Sequence, residues 1–382
     1  MTISTSSTTG GSLPWLQRWV TVLGLACGLA LLTAAPAGAH VGDSPAADNF
    51  SGSITSISPA LPEGISVQII EFGNRLRLSN GGDEVVSVPG YSSEPYLQIG
   101  PDGVQRNDNS PATYLNSSRD GTTPLPERAD PQADPFWVSL SSETVYEWHD
   151  HRSHWMSALL PPQVRADPDV SHRVIEWTVP LEIDGRAYSV AGVLDWTPPP
   201  PGWASYAVLV VLVGTGAAAG WLWRSPRLAA GLLVLAGAGS VWHVASTPLP
   251  FGDASSVVYG LLAVLVPTVL VLVLTYFAVR AVRRPPVVGG SGSAPYLIAI
   301  SGWLLVVEAL PDLDVLFRSN VSAIGPAWGA RLAVLLLLGL GLGLAIGSVG
   351  LMRARPKTVP TSVEPSWLPE LSGAAVAASA VQ

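Results

Sequence analysis

Five stretches constrain this chain more than anything else in it: residues 203–223, 228–246, 255–279, 295–311 and 328–352 are almost wholly apolar. Each is about 17–25 residues long, the length that spans a hydrocarbon core as a helix. A backbone in lipid must satisfy its own hydrogen bonds, so the C-terminal half is predicted to be an all-α membrane domain of five transmembrane helices, 203–352. The bulk numbers agree, with 48% hydrophobic and 13% charged residues in 382 and a mean hydropathy of +0.36.

Basic residues orient the spans. Arg224 and Arg227 follow the first, Arg280, Arg283 and Arg284 the third, and Arg353, Arg355 and Lys357 the fifth. The opposite loops, 247–254 and 312–327, hold Asp253, Asp312 and Asp314 against Arg318 alone. Positive charge stays cytoplasmic, so residues 40–202 are expected outside and the C-terminus inside a multi-pass cell-membrane protein. The Pro/Ser/Ala-rich tail, 353–382, is expected to be disordered and cytoplasmic. "PPVVGGSGSAP" (285–295) reads as a flexible link.

The N-terminus points the same way. Residues 1–18 are polar and end in Arg18, 19–35 are apolar, and "AGA" (37–39) supplies small residues at a cleavage site. This is the pattern of a secretory signal peptide, 1–39. The one cysteine, Cys27, falls inside it, which excludes a disulfide framework.

Residues 40–202 carry 22 Asp+Glu against 9 Arg and no Lys, a net of −13. So acidic a segment is unsuited to phosphate contacts, and nucleic acid is not an expected partner. Short alternating runs recur between turn residues: 52–58, 65–72, 74–79, 84–88, 144–149, 173–183 and 187–196. "SNGGDE" and "IDGRA" read as hairpin turns. The expectation for 40–197 is an antiparallel β-sandwich of the immunoglobulin or cupredoxin sort, with prolines 198–201 as a stiff spacer to the membrane. Residues 100–136 form a turn-rich stretch expected to be functional or to pack over the sheet.

Of six histidines, three fall in "YEWHDHRSHWM" (146–156). On an extended strand His149 and His151 would share a face, and His154 would join them after a turn. Such a set suits copper or zinc. Asp150 and Glu147 would orient the rings, and Met156 is an available soft ligand. Cleavage after Ala39 would make His40 the first residue, with amine and ring nitrogen both offered to one Cu(II). The metal-free alternative is a hydrogen-bonded corner of histidines with Asp150, Arg152 and two tryptophans. His172 is expected in an exposed loop.

Within the spans, His243 and Glu308 lie at similar depth with Asp312 and Asp314 just beyond, a candidate ion path. The alternative is that Arg331 neutralises Glu308 as a structural pair. Gly339, Gly343 and Gly347 form a small-residue packing face, and Pro267 is placed to kink the third span.

The signal peptide, mature histidine, acidic β-domain and helical membrane domain together resemble fused copper resistance C and D family proteins. The W-H-D-H-R-x-H-W-M run itself is similar to that of a group of actinobacterial membrane proteins. The first resemblance implies Cu(II) bound by His40 with Asp150, His151 and His149. Only Met156 and Met352 remain in the mature chain for a methionine-based Cu(I) route. The leading expectation is a membrane-anchored copper-capture protein, with the metal ion and membrane lipid as partners. The alternative is an envelope interaction module with a protein or glycan partner and no metal. An N-terminal-histidine copper oxidase ranks last. No G-x-S-x-G elbow, P-loop or dinucleotide fingerprint occurs, and enzymatic turnover is not expected.

Overall fold

A computed structural model describes residues 48–248, 254–284 and 292–354. The signal peptide with Cys27, His40, residues 285–291 of the link and tail residues 355–382 lie outside the described residues.

Among the described residues ten strands build the N-terminal domain as two antiparallel sheets. They are β1 (Phe50–Ser58), β2 (Ile65–Ile70), β3 (Arg75–Asn80), β4 (Val86–Pro89), β5 (Pro95–Gly100), β6 (Gly103–Asn107), β7 (Trp137–Ser141), β8 (Val145–His149), β9 (His172–Ile183) and β10 (Arg186–Trp196). Seven pair in the order β1-β10-β9-β4-β5-β6-β7, and three as β2-β3-β8. One apolar core lies between the sheets. Leu76, Leu78 and Trp148 of the smaller sheet face Val88, Leu97, Ile99, Val179, Leu181 and Val190 of the larger. The alternation is visible in β3, where Leu76, Leu78 and Asn80 point inward and the residues between them are half-buried.

"IDGRA" is the predicted hairpin. Ile183 pairs with Arg186, and Asp184 and Gly185 both have positive φ, as a two-residue turn between twisted strands requires. "SNGGDE" is not one. It carries the chain from β3 in the small sheet to β4 in the large one. Buried Asn80 holds that crossover, its Nδ2 donating to the carbonyls of Glu84 and Ile99. The 100–136 stretch is more structured than expected, containing β6 and the short helix α1 (Pro111–Leu115), capped by Ser110. A second short helix, α2 (Pro162–Ala166), precedes β9. His172 begins β9 rather than sitting in a loop, with its Nε2 2.6 Å from the Asp167 carbonyl.

Five long helices follow: α3 (Gly202–Trp221), α4 (Pro226–Ser246), α5 (Ala254–Arg283), α6 (Ala294–Ala309, continued by a 3₁₀ segment, Leu310–Leu316) and α7 (Ala327–Arg353). All are long and apolar enough to cross a membrane. Helix α7 is the central one, and its glycines set how close its neighbours come. A Cβ on Gly343 would meet the Val213 backbone of α3, and one on Gly347 the Gly216 carbonyl. The small-residue face is therefore a packing face. Pro267 lies within α5, which continues through it.

The β-domain is fastened to the bundle by the loop between the 3₁₀ segment and α7. Asp48 and Asn320 exchange backbone hydrogen bonds of 3.0 and 2.9 Å. Ser319 donates its N–H to Asn49 Oδ1 (2.9 Å) and its hydroxyl to the Thr197 carbonyl (3.0 Å). Asn320 Nδ2 reaches the Phe50 carbonyl at 2.9 Å.

Candidate functional site

Apart from His40 and His172, two clusters hold the residues singled out in the sequence. The first is the histidine corner, at the end of β8.

Strand β8 stops at His149, because Asp150 turns the chain. The Asp150 carboxylate accepts from the Arg152 backbone N–H at 3.2 Å, and its carbonyl from that of Ser153 at 2.9 Å. His151 therefore lies in the turn and not on the strand face shared with His149. The three rings still gather, with His154 between the other two at centroid distances of 6.2 Å to His149 and 5.3 Å to His151.

Their nitrogens, however, are largely spent. His149 Nδ1 donates to the Asn74 carbonyl (3.0 Å) and Nε2 accepts from Arg75 Nε (3.2 Å). Burial first, then the Arg75 charge, push this ring down to about 4, so it is neutral at physiological pH. His154 is buried, with Nε2 2.8 Å from the Arg119 carbonyl and Nδ1 3.0 Å from that of Asp150. Burial lowers its pKa as well, and a neutral ring donates once. Its two ring nitrogens thus both face carbonyls, one of which takes its single proton, and neither nitrogen is turned toward open space. His151 Nε2 meets the Ser118 carbonyl at 3.0 Å. Its Nδ1 makes no hydrogen bond to any described residue.

Asp150 is fully buried and its charge is saturated. Oδ1 and Oδ2 each take an Arg152 nitrogen at 2.7 Å, and Oδ2 also accepts from Trp148 Nε1 at 3.0 Å. Burial opposes the Arg152 charge, but Asp150 outweighs it and raises the guanidinium pKa. The guanidinium also stacks over Tyr91, 5.2 Å from the ring centroid. Glu147 is paired with Arg77 on β3, not with a histidine. Met156 is exposed at the rim, where its methyl and the His151 ring both crowd Gly121.

The predicted ligand set of His149, His151, His154 and Asp150 is thus brought together as a hydrogen-bonded corner. Among the described residues no group of three His, Cys, Asp or Glu side chains is arranged to hold a metal ion. The residues that make the corner, Asn74, Arg75, Tyr91, Ser118 and Arg119, were not picked out in the sequence. They lie 33 to 75 residues away along the chain, and most contribute a backbone carbonyl or a charge.

The second cluster lies inside the bundle. Glu308, at the end of α6, is 9% exposed. Its Oε1 lies 2.6 Å from the Ser240 hydroxyl of α4 and 2.9 Å from the Thr268 hydroxyl of α5, which are themselves 2.9 Å apart. Its Oε2 is buried and has no hydrogen-bond partner among the described residues. His243 Nε2 meets Asp312 Oδ2 at 3.3 Å. His243 follows Ser240 by three residues and Asp312 follows Glu308 by four, so the pair sits one turn nearer the β-domain. Asp314 Oδ1 instead caps the Val315 N–H.

Arg331 does not neutralise Glu308, contrary to the alternative read from the sequence. It donates to the carbonyls of Val315, Arg318 and Ser319 and so braces the loop that holds the β-domain. Ser240 and Thr268 were missed because only ionisable groups were sought. Two hydroxyls at matching depth in apolar spans were the available signal.

Comparison with protein-family models, curated proteins and solved structures finds no match to this chain.

Proposed function

We propose that this chain is a membrane-anchored extracytoplasmic copper-capture protein whose cargo, Cu(II), is held by the amine and ring of His40 together with Nδ1 of His151. The observation that carries this reading is the His151 ring. A carbonyl fixes its Nε2–H, as an outer-shell partner fixes a metal-ligating histidine, while Nδ1 keeps its lone pair. His149, His154 and Asp150 become the frame that holds it, and a tetragonal nitrogen set suits Cu(II) over zinc.

Asp48 stands beside this corner. Asp48 lies 3.7 Å from Arg119, whose carbonyl holds His154. The eight residues from His40 to Asp48 span at most about 26–29 Å when extended, enough to reach it. On this reading the signal peptide is removed and residues 40–202 face outward, as the charge asymmetry of the loops requires. The two-sheet domain is then a variant sandwich of the immunoglobulin or cupredoxin sort.

The test uses full-length protein with a verified His40 terminus, a twin carrying one extra N-terminal Gly, and His151→Ala. Each is titrated with Cu(II) against a competing chelator and followed by electron paramagnetic resonance. Submicromolar binding with a tetragonal nitrogen spectrum, lost in the twin and weakened in His151→Ala, supports copper capture. No submicromolar binding by the authentic protein refutes it. The saturation of His149, His154 and Asp150 would then favour the second reading, an interaction module whose corner is purely structural.

A further inference from the structure

Hydrogens can be counted in the cluster around Glu308. Three oxygens, Ser240 Oγ, Thr268 Oγ1 and Glu308 Oε1, lie 2.6, 2.9 and 2.9 Å from one another. Each edge of that triangle is at hydrogen-bond length, and each needs one hydrogen between its oxygens. The hydroxyls supply one apiece. With an ionised glutamate the third edge would be two lone pairs face to face. A proton on Oε1 closes the ring, each oxygen donating once and accepting once.

Oε2 supports the same count. It is buried without a partner among the described residues. A bare oxygen of an ionised carboxylate in an apolar helix bundle is far costlier than a bare carbonyl oxygen of the neutral acid. Among the described residues no cation lies at hydrogen-bond distance from Glu308. From α4 comes His243, committed to Asp312. The 3₁₀ segment brings Asp312 and Asp314, both acidic. Helix α5 contributes Thr268, with Arg280 and Arg283 at its far end. Helix α7 contributes Arg331, bound to three carbonyls, and Arg353 at its far end.

We propose that Glu308 is a proton-binding site within the bundle, neutral in the state described here, which exchanges its proton with the β-domain side through His243 and Asp312. On release, the Glu308 proton passes to the imidazole of His243, and the His243–Asp312 pair returns one proton to solvent. The ring opens to an ionised Glu308 held by two hydroxyl donors. Ser240 lies six residues from the end of α4 at Ser246, about 9 Å along the axis, so the site is inside the helix yet near its rim. This inference is independent of copper binding, since none of its residues belongs to the histidine corner.

The test is infrared difference spectroscopy on the full-length protein in lipid nanodiscs. A protonated-carboxyl band is expected at neutral pH, shifting in deuterium oxide and vanishing in Glu308→Gln. The same spectrum in wild type and Glu308→Gln overturns the proposal. Should Glu308→Gln fail to fold, Ser240→Ala and Thr268→Val each remove one edge of the ring and are expected to move the band. A band unmoved by both also overturns it. His243→Asn is expected to keep the band but slow its deuterium exchange by on the order of tenfold or more; unchanged exchange refutes the route.

Discussion

Replacing Asp150 with Ala separates a frame residue from a ligand. The substitution strips two 2.7 Å bonds from Arg152 and one of 3.0 Å from Trp148 Nε1, at a fully buried position. Breaking a buried ion pair by removing one partner costs about 3–5 kcal/mol. Arg152 keeps the Tyr91 ring and a long contact to the Pro89 carbonyl, which places its loss near the low end. The orphaned indole N–H adds about 1 kcal/mol. The sum is about 4 kcal/mol. At about 2–4 °C per kcal/mol for a domain of this size, the melting temperature of the β-domain should fall by roughly 8–16 °C. Tryptophan fluorescence on metal-free protein reads it directly, Trp148 being in the core. Asp150→Asn keeps the shape and should lose about half as much. A ligand awaiting metal behaves differently, because its removal leaves metal-free stability within about 0.5 kcal/mol. A fall of less than ~2 °C in the metal-free Asp150→Ala protein would refute the frame assignment.

Two further outcomes follow from the same geometry. His149 has a depressed pKa, near 4 when folded against about 6.5 unfolded, so the unfolded chain binds more protons between those values. Stability is therefore full above about pH 6.5 and falls as pH drops toward 4. His154 acts with the same sign. Denaturant midpoints across that window should show the slope, and a flat profile contradicts the neutral assignment of both rings. In the bundle, Gly347→Ala sets a methyl against the Gly216 carbonyl and should cost about 1–3 kcal/mol, read as lost monodispersity and earlier heat aggregation in detergent. Gly231→Ala meets nothing within 4 Å and should be neutral or slightly stabilising, so equal behaviour of the two would refute the packing role.

What could be read from the chain followed how local its cause was. The five helices fall within a few residues of the apolar runs, because solvent alone dictates them. The Asp184–Gly185 hairpin was legible because two positive-φ residues leave little choice. Strands β5 and β6 went unpredicted because Pro95, Gly100, Gly103 and Asn107 interrupt their alternation, and β7 because it is only five residues long. "SNGGDE" shows the limit of turn chemistry, which says where a chain reverses but not which sheet receives the next strand. At the corner, the period-two expectation for His149 and His151 failed at Asp150, whose side chain ends the strand. The carbonyls of Asn74, Ser118 and Arg119 that engage the rings leave no mark in side-chain sequence. Depth alone set His243 level with Glu308, whereas its ion-pair partner is Asp312, one turn on; the triangle beside it was not legible, since each hydroxyl is unremarkable until helix packing brings the three oxygens together.

The grip of Ser319 and Asn320 on the β-domain also sets an order of assembly. Every strand of that domain is complete by Trp196, yet the residue that fastens Thr197 is made 122 positions later. Chains fold from the N-terminus as they are synthesised. The β-domain must therefore reach its own fold while untethered and stay soluble through the insertion of four helices. Only when the loop before α7 arrives can it be latched. A defect in Ser319, Asn320 or Arg331 would then leave both halves folded and their joint unmade, a failure of maturation and not of either fold.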